Sequence, residues 1–158
     1  MLPRHLGLVS ASVVFAADQL SKLALRLYLV PDEGSQIFVL PVFNLVHAWN
    51  YGVSFSLFAA EGDSRRWILI LVMLGISAAV AVALWRSVTR LPALAYGMVL
   101  GGALGNVLDR LVHGAVFDFL QFHLAGYYWP SFNLADSAIV AGVGLLLLDS
   151  FRQRGEKA

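Results

Sequence analysis

The chain has no cysteine. Disulfides, thiolate metal sites and a cysteine nucleophile are therefore excluded. Charge is also scarce. Asp, Glu, Lys and Arg make up 13% of the 158 residues, about half the share in an ordinary soluble domain. The formal net charge is only +1, which argues against a concentrated basic patch for nucleic acid. The motifs of several hydrolases are missing too. There is no HExxH, and His5, His47, His113 and His123 lack the paired helical spacing of a zinc site. Ser10, Ser12, Ser77 and Ser87 have no histidine positioned to activate them, and no phosphate-binding glycine loop occurs.

What the chain has in excess is apolar surface. Hydrophobic residues make up 59% and the mean hydropathy is +0.73. A fold of this size keeps much of its surface exposed, so that excess cannot all be hidden in a core. The solvent must be lipid. The length suits one domain over 1–158, with no internal boundary.

Four transmembrane spans are expected, at about 6–30, 67–85, 91–111 and 132–150, with an outer loop over 31–66. Trp67 to Leu84 carries no charge and, as a helix, is roughly 28 Å long, enough to cross a hydrocarbon core. Trp67 and Trp85 at its ends fit interfacial aromatic belts. Leu91 to Leu108 is a second uncharged run. The first span is interrupted by Asp18 and Lys22, and the last carries Asn133, Asp136 and Ser137 near its start. Arg4 and His5 before an apolar run, with Val14 and Ala16 placed like a cleavage site, also fit a secretory signal peptide. The apolar pattern continues beyond Ala16, which favours a retained span.

Basic residues set the orientation. Arg4 precedes the first span, Arg86 and Arg90 join the second and third, and Arg152, Arg154 and Lys157 follow the fourth. The positive-inside rule then puts both termini in the cytoplasm and both long loops outside. Gly97, Gly101 and Gly105 form one small-residue stripe, and Gly75, Ala79 and Ala83 another. Such stripes let helices approach closely in lipid, and packing within one chain accounts for them. In the outer loop, Gln36 to Trp49 is rich in Val, Phe and Leu and broken by Pro41 and Asn44, which predicts short strands.

Ionisable groups within spans are expensive. Here they gather at one leaflet. Asp18 and Lys22 share a face in the outer half of the first span, and Asn106, Asp109 and Arg110 end the third. Asn133 and Asp136 share a face at the start of the fourth, and Asp118 lies in the short loop before it. Asp18 with Lys22, and Asp109 with Arg110, can neutralise charge locally and brace helix ends. Asp118 and Asp136 have no basic residue within a helical turn. Unpaired carboxylates in apolar surroundings point to catalysis, and two of them to a pair sharing one proton.

These residues resemble the lipoprotein signal peptidases, or signal peptidase II, over nearly the whole chain. The likeness rests on Asp18-Gln19-Leu20-Ser21-Lys22, on Asn50-Tyr51-Gly52 before Phe55-Ser56, and on Gly101 to Arg110. It continues through Gly114-Ala115-Val116-Phe117-Asp118-Phe119 and Phe132-Asn133-Leu134-Ala135-Asp136-Ser137. The shared motif around Asp18 also disposes of a cleaved signal.

The resemblance implies an all-α membrane protein, four transmembrane helices with a small extracytoplasmic β-cradle between helices 1 and 2. It implies an aspartic endopeptidase that removes the signal peptide of diacylglyceryl-modified bacterial prolipoproteins before the lipidated cysteine. The expected place is the cytoplasmic (inner) membrane, with the active site near the outer face. Its catalytic dyad falls on Asp118 and Asp136. Substrate-binding or supporting residues fall on Asp18, Lys22, Asn50, Gly52, Asn106, Asp109, Arg110, Asn133 and Ala135. No metal or organic cofactor is expected. The partners are lipidated prolipoproteins and membrane phospholipid, with no nucleic acid, and the protein should be monomeric. Val53 and Ser54 stand where the family usually has two alanines, and Phe117 where it often has valine; the expectation is that they touch fine selectivity near the substrate groove. The competing reading is a small proton- or cation-coupled transporter subunit using Asp18, Asp109 and Asp136. Such a pathway should place ionisable groups through the full depth of the membrane, whereas the inner half holds only Asp149 at its end.

Overall fold

The computed structural model describes residues 2–29, 32–52 and 63–155. Four helices are long and apolar enough to cross a membrane. They are α1 (Pro3–Ala24), α2 (Asp63–Arg86), α3 (Arg90–His113) and α4 (Leu134–Gly155). A helix lies on each expected span; α2 and α3 run past both expected ends, while α1 stops short of 30 and α4 begins at Leu134 and runs on to Gly155. Pro3 opens α1, a position whose N–H has no intrahelical partner in any case. After Ala24 the chain widens into a π-helical turn, Leu25–Leu29.

α3 is the central helix and packs against α1, α4 and α2. Its glycines explain the closeness. A Cβ at Gly97 would collide with the Gly7 carbonyl, one at Gly101 with the Ala11 carbonyl, and one at Gly105 would sit 2.6 Å from Asp18 Oδ2. Gly102 gives the same clearance to Ala135 on α4. The first stripe is thus the seam between α3 and α1, as expected of packing within the chain. The second behaves differently, because nothing among the described residues lies within 4 Å of a Cβ at Gly75. Its small residues leave that part of α2 facing open space rather than a neighbour.

The sheet has four antiparallel strands in the order β1 (Gln36–Leu40), β2 (Phe43–Asn50), β3 (Val116–Leu124) and β4 (Tyr127–Tyr128). The expected strands in the first outer loop are there, joined by the two-residue turn Pro41–Val42. Asn44 does not break them; it lies within β2, fully buried, with His123 Nε2 3.1 Å from its Oδ1. The connection between α3 and α4 departs from the sequence reading. It is not a short loop around Asp118 but supplies the sheet's other two strands. Val-Phe-Asp-Phe-Leu has apolar residues on both faces, so the alternation that betrays a strand is hidden. Gly114, in the left-handed region at φ 80°, ends α3 and turns the chain into β3.

A bulge in β2 sits opposite β3. Leu45 pairs with Leu120 but Ala48 with Asp118, so β2 uses one residue more than β3 over the same stretch. The chain before α4 is then tied back to β3. Phe119 and Leu120 donate to the Phe132 carbonyl at 3.0 and 2.8 Å, and Phe132 N–H donates to the Leu120 carbonyl at 3.0 Å. This places the first turn of α4 directly beside Asp118.

Candidate active site

Asp118 and Asp136 reach the site by different routes. Asp118 projects from β3 and is 1% exposed. Its neighbours Phe117 and Phe119 take the opposite face, as alternation requires. They form a buried aromatic cluster in which Phe117 meets His47 at 4.8 Å and Trp49 at 5.6 Å between ring centroids. Phe117 is therefore a packing residue on the far face of the strand from Asp118, which corrects its expected place beside the dyad's groove. Val53 and Ser54 lie outside the described residues.

Asp136 stands in the first turn of α4, where the helix's free N–H groups and dipole favour a carboxylate. Asn133 is the residue before that helix. Its Oδ1 accepts from Asp136 N–H at 3.0 Å, while its own N–H donates to Asp136 Oδ2 at 3.3 Å. This is a reciprocal capping box, with Asn and Asp in place of the usual Ser or Thr and Glu. Asn133 also donates from Nδ2 to Asp118 Oδ1 at 2.7 Å. One asparagine thus holds both carboxylates.

Two other amides complete the shell. Asn50, at the end of β2, donates from Nδ2 to Asp118 Oδ2 at 3.0 Å and accepts from Gly52 N–H at 2.9 Å. Gly52 makes that turn at φ 82°, a conformation for which glycine is suited. Asn106 on α3 donates from Nδ2 to Asp136 Oδ1 at 2.8 Å, and its Oδ1 accepts from Lys22 Nζ at 3.2 Å. Every oxygen of the two carboxyls accepts from an N–H, yet among the described residues neither group has an ion pair. Burial pushes the Asp118 carboxyl up from 3.8 to about 6; the Asp136 charge adds to the rise, and the Asn50 and Asn133 amides oppose it.

A second cluster lies behind the first. Lys22 Nζ is 2.8 Å from Asp18 Oδ2 and 2.9 Å from Asp109 Oδ2, and all three side chains are buried. The expected Asp109–Arg110 pairing is not the one found. Successive helical residues point about 100° apart, so Asp109 faces α1 while Arg110 turns toward α2. There its Nη1 lies 3.3 Å from Met73 Sδ and donates to the Asn106 carbonyl at 3.3 Å. The guanidinium remains within electrostatic reach of Asp118 and Asp136. Asp18 has a further partner, accepting the backbone N–H of Ala135 at 2.9 Å. It therefore caps the first turn of α4 from α1 and helps set where Asp136 stands.

Gln19 was not singled out from the sequence, yet its Nε2 donates to Asp18 Oδ2, Gly105 O and Asp109 Oδ1 at 3.1, 3.3 and 3.0 Å. Its place in the Asp18-Gln19-Leu20-Ser21-Lys22 motif gives no sign of these contacts, because Gly105 and Asp109 come from the facing helix. Among the described residues no group of three or more His, Asp or Glu is arranged to hold a metal ion. Next to Asp136 an apolar trough of about 640 Å³ runs over Trp129, Phe132 and Val140. Strand, capped helix and trough together make a carboxylate pair reachable from the side of the bundle.

The same arrangement of helices is found in a solved bacterial membrane enzyme, determined by the in meso method at 2.3 Å resolution. The two superpose with a TM-score of 0.82 at 24% identity, covering 96% of this chain and 91% of that one. At that identity the likeness speaks for the fold. Sequence relatives are nearer. The chain is 44% identical over 151 residues to a lipoprotein signal peptidase of Beijerinckia indica, covering 96% of this chain and 90% of that protein. It is 45% identical over 157 residues to one of Nitrobacter hamburgensis, covering 96% and 94%. The family described as Signal peptidase (SPase) II matches residues 10–152, and that match takes in both the ion cluster and the carboxylate pair: the chain belongs to the signal peptidase II family of aspartic peptidases.

Proposed function

We propose that this bacterial multi-pass membrane peptidase cleaves lipidated prolipoproteins with Asp118 and Asp136 as its catalytic dyad. The observation that carries the reading is the single asparagine, Asn133, bonded to both carboxyls. It holds them at one place with neutral donors and leaves their shared proton free to move.

In this reading one carboxyl is ionised and the other protonated. The ionised group takes a proton from a water between them, and the water oxygen attacks the scissile carbonyl carbon. The protonated carboxyl donates a hydrogen bond to the developing oxyanion, and the dyad then returns a proton to the departing nitrogen. Burial raises the Asp118 carboxyl toward about 6, so it holds a proton more readily than a free carboxylate. Arg110 offsets the negative charge of the site without pairing with either carboxyl. Asp18, Lys22, Asp109 and Ala135 position the first turn of α4, and Asn50, Gly52, Asn106 and Asn133 orient the carboxyls.

The substrate class follows from the family and suits the setting. A diacylglyceryl group on the residue just after the scissile bond anchors the precursor in lipid, where burial stabilises by about 0.8 kcal/mol per CH₂. An apolar trough beside Asp136 supports cleavage at such an anchored residue. The basic loop residues support cytoplasmic termini and an outer-face site. So does the cluster of Tyr127, Tyr128 and Trp129, each at least half exposed, as in an interfacial belt. The test is incubation of the purified chain with a lipidated and an unlipidated precursor peptide. Cleavage of the lipidated one before its modified cysteine is expected, and cleavage of neither overturns the reading. Reporter fusions after Arg90 and after Ala125 should read cytoplasmic and external.

A further inference from the structure

A second cleft, on the other side of the Lys22 cluster, takes no part in the proposed reaction. It encloses about 230 Å³ between the outer ends of α1 and α3, with Lys22, Arg26, Asp109 and His113 on its walls. Leu20 and Leu23 form its lip, and they are 65% and 47% exposed. The cleft therefore opens sideways, into the acyl region beside α1.

Its two cations are held differently: Lys22 is paired with Asp18 and Asp109. Asp109 is committed to Lys22, Gln19 and the Phe117 N–H. Arg26, on the π-helical turn, has no carboxylate within 4 Å among the described residues. Its Nη1 lies 2.7 Å from His113 Nε2, and its guanidinium lies 5.9 Å from the Trp49 ring centroid. Arginine stays protonated, so Nε2 must be the acceptor and His113 is neutral, with its proton on Nδ1. The contact orients the guanidinium without neutralising it. Among the described residues, one of the five guanidinium donors of Arg26 has a hydrogen-bond partner. Arg26 lies one turn beyond Lys22, close to where the apolar span ends at Tyr28, which is the depth of lipid headgroups.

A fork of donors held by a ring, above an apolar lip and without a carboxylate partner among the described residues, matches a phosphate that carries acyl chains. We propose that this cleft binds an anionic phospholipid, its phosphate on Arg26 and its chains along Leu20 and Leu23. Occupancy would brace α1 against α3 beside the Lys22 cluster. The proposal does not depend on the peptidase chemistry.

The test uses the full chain in zwitterionic detergent, titrated separately with short-chain phosphatidylglycerol, short-chain phosphatidylcholine and inorganic phosphate, with the melting temperature as readout. Phosphatidylglycerol should raise it saturably, phosphatidylcholine more weakly, and inorganic phosphate not at all. Arg26→Gln should weaken the phosphatidylglycerol effect about tenfold, Arg26→Lys less, and Arg86→Gln at the opposite end of the bundle not at all. Retained cleavage of lipidated precursor by Arg26→Gln shows that the variant is folded. Equal phosphatidylglycerol binding by wild type and Arg26→Gln overturns the site. A full shift with inorganic phosphate alone overturns the lipid as its occupant.

Discussion

Two pairs of aspartates lie at the same end of the helix bundle and are held in opposite ways. Asp18 and Asp109 share the Lys22 ammonium at 2.8 and 2.9 Å. Among the described residues, Asp118 and Asp136 receive only amide hydrogens, from Asn50, Asn106 and Asn133. Ammonium neutralises charge and makes the fold depend on it. Amides orient a carboxylate and lower its proton affinity in part, against the larger rise from burial and from its twin. The first pair is suited to bracing helices, and the second to exchanging protons. Asn106 and Ala135 join them, since each bonds to one group of both pairs or lies beside it.

The largest effect should come from the amide-held pair. Asp118→Asn and Asp136→Asn should each lower turnover on the order of 10⁴-fold, and the double variant should be scarcely worse, because the two act as one unit. Melting temperature should change little. Near-normal turnover in either folded single variant would break the contrast at its root.

In the ammonium-held pair the balance should reverse. Lys22→Met leaves two buried carboxylates without their cation, and Asp18→Asn removes one ion and weakens the acceptor for Ala135 N–H. Losing one member of a buried ion pair costs about 3–5 kcal/mol, so thermal unfolding should show the damage first. Some turnover should survive in the folded fraction of Asp18→Asn. A variant that melts normally but has lost all turnover would place Asp18 in the chemistry instead.

The pH dependence sharpens the comparison further. Because the Asp118 carboxyl is raised from 3.8 to about 6, its protonated form favours the fold. The stability it contributes is complete below 3.8 and is lost as pH rises through about 6. The same proton is the one the dyad shares, so kcat/KM should fall above about pH 6, as an apparent value of the pair. Asn50 favours the ionised form, so Asn50→Leu should move that fall to higher pH. A profile unchanged in Asn50→Leu would show that the limb belongs to another group.

A small effect is expected well away from both pairs. Ala125 and Gly126 make the two-residue turn from β3 to β4 with φ of 50° and 84°. Such turns favour Asn-Gly, so Ala125→Asn should raise stability by less than about 1 kcal/mol and leave cleavage alone.

Much of this was legible from one dimension, and particular residues show where legibility stopped. Asp118 and Asp136 stood out because no basic residue lies within a helical turn of either. The pairing of Asp109 with Arg110 was misjudged because adjacency in sequence is not adjacency on a helix surface. Phe117 was placed near the groove by its position next to Asp118, although strand alternation turns it to the opposite face. The trans cap from Asp18 to Ala135 has no local signal, since it depends on which helices α1 faces, and the motif that contains Gln19 does not show its contacts on α3.

By itself the sequence determined the solvent, the number of spans, the family and the gathering of polar groups at one end. These follow from composition, from runs of apolar residues and from contiguous motifs, all of which are local properties. Only the tertiary structure decided which carboxylate meets which cation, because burying charge in a bundle depends on contacts between residues far apart in the chain. It alone moved Asp118 from a loop onto a strand, where hydrogen bonds to the Phe132 segment bring it beside Asp136. And it alone showed Asn133 grasping both, a consequence of a helix beginning at the very place where a sheet ends.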